Sequence, residues 1–274
     1  MSVTVFFFIS GTRMPVLTAS EVQPDSSVEP LPLAAVASLD ELQTTFPRVP
    51  LKLQPPVRGV TDLTVPTIKH WLSDRSPEVF LTFDDGPSPQ ATGMILDLLQ
   101  VHEVKATFFV LGHNAILYPE LIKRIVAEGH ELALHSYSHP NLLTLTREQK
   151  EREIAESLSI LHWYFPNVRI RWFRPPYGYY DQEVIDIAHE YGMCLALFND
   201  ISTDSRSSSA KIAQTVVNGN GKIIVFHDGQ LPRTSDLTEP ERRLVEGLTA
   251  SVGHLKARGG HIKTLSSHFG RFCP

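Results

Sequence analysis

Seven short apolar runs punctuate the chain, at residues 79–83, 106–110, 131–134, 170–173, 194–198, 222–226 and 261–265, and each reads as a strand. Helical patterns lie between them. Ser88 has the place of a cap with Pro89 at the first helical position, and Ile95, Leu98 and Leu99 then share one face. Pro119 opens a second helical segment that carries Leu121, Ile122 and Ile125 and stops at Gly129. Thr146 and Gln149 have capping-box spacing, followed by Ile154, Leu158, Leu161 and Phe165 at helical intervals and then Pro166. Strand and helix that alternate in this way predict an α/β chain with a parallel sheet, either open and doubly wound or closed into a barrel. No fixed-period repeat is present.

The 274 residues suffice for one large domain or two small ones. Eight prolines between residues 21 and 66 are too many for helix or central strand, so residues 1–69 read as a tail or linker and residues 70–274 as the folded domain. Val3–Ile9 is apolar but short, has no basic residue before it and is followed by Gly11 and Arg13, while Ala35-Val36-Ala37 has the form of a cleavage site without an apolar run in front. The N-terminus thus reads either as a degenerate export signal or as a disordered tail, and it is too short to span a bilayer. A net charge of −5 with scattered basic residues excludes the electrostatic footprint of a nucleic-acid or anionic-membrane binder, so neutral or mixed-charge substrates fit better. With only two cysteines, Cys194 in an apolar run and Cys273 beside the C-terminus, a disulfide framework is not expected and no compartment can be read from them.

Asp84 and Asp85 close the first apolar run. Like charges on neighbouring residues raise each other's cost of ionisation, which makes sense where a cation holds one carboxylate and the other does proton chemistry. The blander alternative is a helix N-cap beside a solvated acid. His135 and His139 follow the third run four residues apart, a spacing that lets both face one ion and that, with one aspartate, makes an open metal site. Arg174 follows the fourth run, Asp200 the fifth and His227 the sixth, so the polar candidates all fall past the C-terminal ends of strands, where parallel α/β folds place their sites. His113 sits on the same rim. His70, His102, His130, His162, His189, His254, His261 and His268 read as surface or hydrogen-bonded core residues.

Taken together, Thr82-Phe83-Asp84-Asp85-Gly86, His135-Ser136-Tyr137-Ser138-His139, Arg174-Pro175-Pro176-Tyr177 and Ile223-Ile224-Val225-Phe226-His227 resemble, in order and spacing over residues 70 to 270, the motifs of the polysaccharide deacetylase family, also called the NodB-homology domain or carbohydrate esterase family 4. The resemblance implies a distorted (β/α) barrel of about seven strands and metal-dependent removal of acetyl groups from sugar polymers. It implies Asp84 as general base, Asp85, His135 and His139 as metal ligands, the backbone N–H of Tyr177 as an oxyanion donor, Arg174 as the group that orients Asp84, and His227 as general acid. The donor set suits Zn²⁺, with Co²⁺, Mn²⁺, Fe²⁺ or Ni²⁺ able to take the same place.

One motif departs from the family pattern. Relatives carry two aspartates three apart and then tryptophan, whereas this chain reads Asp200-Ile201-Ser202-Thr203-Asp204-Ser205. Asp200, at a strand end, is the first choice to hold and polarise His227, and Asp204 the second. The absent tryptophan, and Val225 in place of the usual leucine, alter the wall expected around the acetyl methyl. Tyr177, Tyr179 and Tyr180 read either as rim packing or as a platform for sugar faces.

Three functions stay open: N-deacetylation of a peptidoglycan- or chitin-type polymer or oligosaccharide, O-deacetylation of an ester such as acetylated xylan, and a catalytically inactive carbohydrate-binding module. The module is disfavoured because base, ligands and acid are all present. The substrate class implies an extracellular or cell-envelope location, with a cytoplasmic one still open, and the oligomeric state is not legible.

Overall fold

The computed structural model describes residues 76–89, 91–201, 207–229 and 239–273. The Pro-rich stretch, the N-terminal apolar run, the boundary expected at residue 70 and the candidates Ser202–Ser205 lie outside these residues. In chain order the elements are β1 (Glu78–Asp84), α1 (Ala91–Val101), β2 (Thr107–Val110), α2 (Gly112–Leu117), α3 (Pro119–Ala127), β3 (Glu131–Leu134), α4 (Arg147–Tyr164), β4 (Trp172–Phe173), α5 (Gln182–Glu190), β5 (Cys194–Leu195), β6 (Asp200–Ile201), α6 (Ser209–Val217), β7 (Ile223–His227), α7 (Glu239–Ala257), β8 (His261–Ile262) and α8 (Leu265–Phe269).

The strands form one sheet in the order β5-β4-β3-β2-β1-β7-β6, with β8 paired to β1, and every pairing is parallel. This is the α/β architecture expected, curled into a half-barrel, with an eighth strand added. Two residues of β6 carry no periodicity, so the sequence pattern could not reveal it. It forms because Asn199 braces the start of β7, its N–H donating to the Ile223 carbonyl (3.0 Å) and its Oδ1 accepting the Ile223 N–H (2.9 Å). β4 takes only the last two residues of its apolar run, and Pro175 and Pro176, which have no N–H for a ladder, keep it from running on past Arg174.

β1 is buried along both faces, as a central parallel strand must be. On one face Phe83 stacks on Phe108 and Phe226, with ring centroids 5.0 and 5.8 Å apart. On the other, Phe80, Phe109, Ala133, Trp172, Cys194 and Ile223 form a single cluster with Leu265 and Phe269 of α8. Each large side chain buried there contributes about 1.5–3 kcal/mol. α8 is further tied in by Trp172, whose indole N–H reaches Glu131 Oε1 and Ser266 Oγ, both at 2.9 Å.

The helix signals hold in detail for α4, where Thr146 and Gln149 close a reciprocal capping box, and for α3, which begins at Pro119. α1 starts at Ala91, after Pro89, and Ser88 Oγ accepts the Ala91 N–H at 3.2 Å.

Two expectations are corrected. Cys194 and Cys273 form a disulfide with their Cα atoms 5.9 Å apart, because the C-terminal segment returns past α8 to lie against β5. Asp200 does not end the fifth strand but opens β6, beside Ile224. Its register lies three residues before His227, about 10 Å along the strand. Its carboxylate faces Lys222 Nζ at 3.7 Å, so the structure does not bring Asp200 to His227.

Candidate active site

Strand register decides which residues meet. Asp84 is the Cα partner of His227 on β7 and of Phe109 on β2, and Leu134 is the partner of Phe173. His135 and Arg174, each one residue further on, therefore emerge at the same end of the sheet as Asp84 and His227. Side chains alternate across a strand, so Thr82 and Asp84 point to the same face, as do Ala133 and His135, and Trp172 and Arg174. That face is the interior of the half-barrel, and its upper rim carries the polar candidates.

Asp85, His135 and His139 converge, with one potential donor atom from each within 4.8 Å of the others. His135 Nε2 is 3.3 Å and His139 Nε2 3.2 Å from the same oxygen, Asp85 Oδ1. Two ligands held about 2.0–2.1 Å from a tetrahedral centre stand about 3.3–3.4 Å apart, so the spacing fits a small divalent cation. His135 Nδ1 donates to the Arg174 carbonyl at 2.7 Å, which leaves the Nε2 lone pair directed at Asp85. Both Asp85 carboxylate oxygens are buried without a hydrogen-bond partner among the described residues. Such a carboxylate costs several kcal/mol unless a cation compensates it.

The titration shifts agree with this picture. Burial favours the neutral acid at Asp85, but the imidazoles of His135, His139 and His227 outweigh it and hold the carboxyl below its ordinary range. Burial disfavours charge on His135, and Asp84 and Asp85 more than reverse it, raising its pKa. His139 is shifted down, first by burial and then by His135. Protons and a cation would compete for the same lone pairs.

The backbone is bent to make these contacts. Of the non-glycine residues with positive φ among those described, Asp85 (71°), Ser136 (73°), His139 (64°) and Tyr177 (60°) all flank the site, and only Glu103 lies elsewhere. Each such residue stores about 1–3 kcal/mol, which the surrounding packing must hold.

Asp84 is kept out of the cluster by Arg174. The guanidinium is fully buried and donates Nη1 to Asp84 Oδ1 (2.6 Å) and Thr82 Oγ1 (2.9 Å), Nε to the Ala196 carbonyl (2.9 Å) and Nη2 to the Leu197 carbonyl (3.2 Å), while its carbon lies 3.9 Å over the Phe109 ring. The other Asp84 oxygen, Oδ2, stands 3.8 Å from His135 Nε2. Asp84, His135, His139, Arg174 and His227 line one open cavity together with Tyr177, Phe198 and Val225. The Tyr177 ring packs edge-on to His139 at 4.6 Å and is tilted against Tyr179 at 5.8 Å; both tyrosines are more than half exposed. His113 lies further round the rim, edge-on to Tyr137 at 5.9 Å.

Two residues of the site were not among the sequence candidates. Phe198, past β5, supplies an aromatic wall, and a Cβ on Gly178 would touch it at 3.6 Å. Asp228, directly after His227, is buried beneath the Asp84–Ser88 turn. Its N–H donates to the Asp84 carbonyl at 3.0 Å, its Oδ2 accepts the Thr92 hydroxyl at 2.6 Å, and its carbonyl accepts the Ser88 hydroxyl. Burial, with Asp85 and Asp84 nearby, pushes its carboxyl up to about 7. A Cβ on Gly86 would overlap the Asp228 carboxylate, and one on Gly229 would overlap the Asp85 carbonyl, so these glycines are needed where the two turns press together. An aspartate following a strand-end histidine was the available clue to Asp228.

Comparison with known proteins places this geometry. Residues 73–196 match the family model described as polysaccharide deacetylase. The chitooligosaccharide deacetylase of Sinorhizobium fredii is 35% identical over 198 residues, covering 69% of this chain and 91% of that protein. The peptidoglycan-N-acetylglucosamine deacetylase of Bacillus cereus is 35% identical over 201 residues, covering 70% and 68%. The crystal structure of the Bc1960 peptidoglycan N-acetylglucosamine deacetylase superposes with a TM-score of 0.65 at 32% identity, over 72% of this chain and 90% of that one.

Proposed function

The chain belongs to the polysaccharide deacetylase family and is a deacetylase of that class, and from this premise we propose that it removes N-acetyl groups from an acetylated aminosugar polymer or oligosaccharide of peptidoglycan or chitin type. The observation that carries the reading is the orphaned Asp85 carboxylate between His135 and His139, with Asp84 held apart from it by Arg174.

In this reading Asp85, His135 and His139 hold a divalent ion, Zn²⁺ being the best match to two imidazoles and a carboxylate, with Co²⁺, Mn²⁺, Fe²⁺ or Ni²⁺ as substitutes. Such an ion, when bound, supplies positive charge that polarises a carbonyl and makes water a stronger acid. Asp84 takes the proton of the attacking water at its Oδ2, the oxygen that Arg174 leaves free. Arg174 fixes the direction of that oxygen and balances its charge. As the acetyl carbon becomes tetrahedral, the Tyr177 N–H donates to the developing oxyanion. An amine leaves only when protonated, and His227, across the cavity on the partner strand of Asp84, delivers that proton to the sugar nitrogen. Phe198 and Val225 exclude water around the acetyl methyl, and the exposed faces of Tyr177 and Tyr179 suit the apolar faces of sugar rings.

Residues 70–274 are assigned to the catalytic domain and residues 1–69 to a tail. The substrate class supports an extracellular or cell-envelope location, and the Cys194–Cys273 disulfide fits an oxidising compartment. No helix among the described residues is long and apolar enough to cross a membrane.

The test is acetate release by the full chain from chito-oligomers, peptidoglycan and acetylated xylan, after chelation and again after zinc is restored. Release from the aminosugar substrates that returns with zinc is expected, and Asp84→Asn should keep zinc while losing about 10²- to 10⁴-fold in turnover. Release from xylan alone would replace the amide by an ester. No release from any substrate would overturn the reading.

A further inference from the structure

The two histidines of the cluster sit at the ends of a five-residue turn, and something must hold that turn to the spacing seen. Its carbonyls are taken by the start of α2, where the Gly112 N–H donates to Ser136 O (3.0 Å) and the His113 N–H to Tyr137 O (3.1 Å). The N–H groups of its middle residues, Tyr137 and Ser138, point the other way, to a single carboxylate. Glu153, in α4 and only 5% exposed, accepts the N–H of Tyr137 and the N–H of Ser138 on Oε2, both at 2.9 Å, and the Ser138 hydroxyl on Oε1 at 2.7 Å. Within the turn, Ser136 Oγ accepts the His139 N–H at 3.0 Å. Ser136 and His139 both have left-handed backbone, a conformation that would relax if those N–H groups were released.

We propose that Glu153 is a positioning residue that sets the separation of His135 and His139, and through it the cation affinity of the site. The inference rests on the reading that these histidines and Asp85 hold a divalent ion. A buried carboxylate is costly unless charge-assisted donors satisfy it, and three donors do so here. All three come from the turn, so what compensates the carboxylate is also what pins the turn. α4 in turn is a rigid base for it, closed at its start by a capping box and buried along Ile154, Leu158 and Leu161. Groups that orient metal ligands from behind are typically worth about 10- to 100-fold in metal affinity.

The proposal makes reach decisive and charge secondary, and two conservative variants separate these. Glu153→Gln keeps the length, and its amide oxygen can accept both N–H groups while its NH₂ donates to the Ser138 hydroxyl. Glu153→Asp keeps the charge but is shorter by one methylene and cannot satisfy all three donors. Zinc affinity of the full chain would be measured by competition with a chromogenic chelator. Amide hydrogen exchange at Tyr137 and Ser138 and the melting temperature would be followed in the zinc-free protein. Glu153→Gln is expected to bind zinc within about 3-fold of the unsubstituted chain, and Glu153→Asp about 10- to 100-fold more weakly, with exchange protection lost at both amides. Unchanged affinity and protection in Glu153→Asp would overturn the proposal, as would loss in Glu153→Gln with retention in Glu153→Asp, which would mean that charge alone matters. If the unsubstituted chain binds zinc and these variants do not differ from it, the inference falls while the site stands. If the unsubstituted chain binds no zinc, the reading of the site itself falls.

Discussion

Replacing Arg174 by methionine tests the arrangement at its most buried charge pair. The substitution keeps an apolar stem against Phe109 but removes the donors to Asp84 Oδ1, Thr82 Oγ1 and the carbonyls of Ala196 and Leu197. Breaking a buried ion pair from one side costs about 3–5 kcal/mol, because the remaining charge is left uncompensated. The two carbonyls add to this, so a loss near 5 kcal/mol is expected from a domain whose total stability is of order 5–15 kcal/mol. With a urea m-value of about 2 kcal/mol/M, the unfolding midpoint of the metal-free protein should fall by about 2.5 M, followed by tryptophan fluorescence. The double variant Asp84→Asn/Arg174→Met removes the stranded charge and should recover about 2–3 kcal/mol relative to Arg174→Met, although it has one more substitution. A single variant with an unshifted midpoint, or a double variant less stable than Arg174→Met, would refute the claim that this pair is what keeps a free carboxylate in the site.

Three further outcomes follow from other parts of the molecule. Gly229→Ala places a methyl on the Asp85 carbonyl, so zinc affinity by chelator competition should fall about 10-fold or more, and an unchanged affinity would show that the Asp228-Gly229 turn does not support the ligand. His130 is buried edge-on to Phe108, its Nδ1 accepts the Ala106 N–H, and burial, with Lys105 and Arg124, pushes its pKa down to about 4. The unfolded chain therefore takes up this proton first: the stabilisation is complete above about pH 6.5 and is lost as pH falls to about 4, on the order of 3 kcal/mol, and His130→Leu should flatten urea midpoints across that window. Cys273→Ser opens a crosslink spanning 79 residues, for which loop entropy gives about 4.5 kcal/mol, and a thermal midpoint insensitive to both this substitution and reductant would contradict it.

Much of the site was legible because its signals are local. The Asp84-Asp85 pair, the four-residue spacing of His135 and His139, and Arg174 before two prolines each sit at the end of an apolar run, and a parallel α/β chain brings such ends to one rim. The alternation of short strands with capped helices likewise announced the sheet, since period and capping depend only on neighbours within a turn or two. Other features had no local trace. Asp200 looked like the partner of His227 until the register placed it beside Ile224 and Lys222.

What the amino-acid pattern determined by itself, then, is the fold class and which side chains reach the rim, because hydrophobic period and strand ends are properties of short segments. Tertiary structure alone decided how those side chains are held. The closure of Cys194 onto Cys273, the support of the Asp85 turn by Asp228 and the grip of Glu153 on the histidine turn join residues 79, 143 and 15 positions apart in the chain, or nearly so. Contacts of that kind arise when separate elements are packed to interior density, and which pairs meet depends on register and helix placement that no single segment encodes.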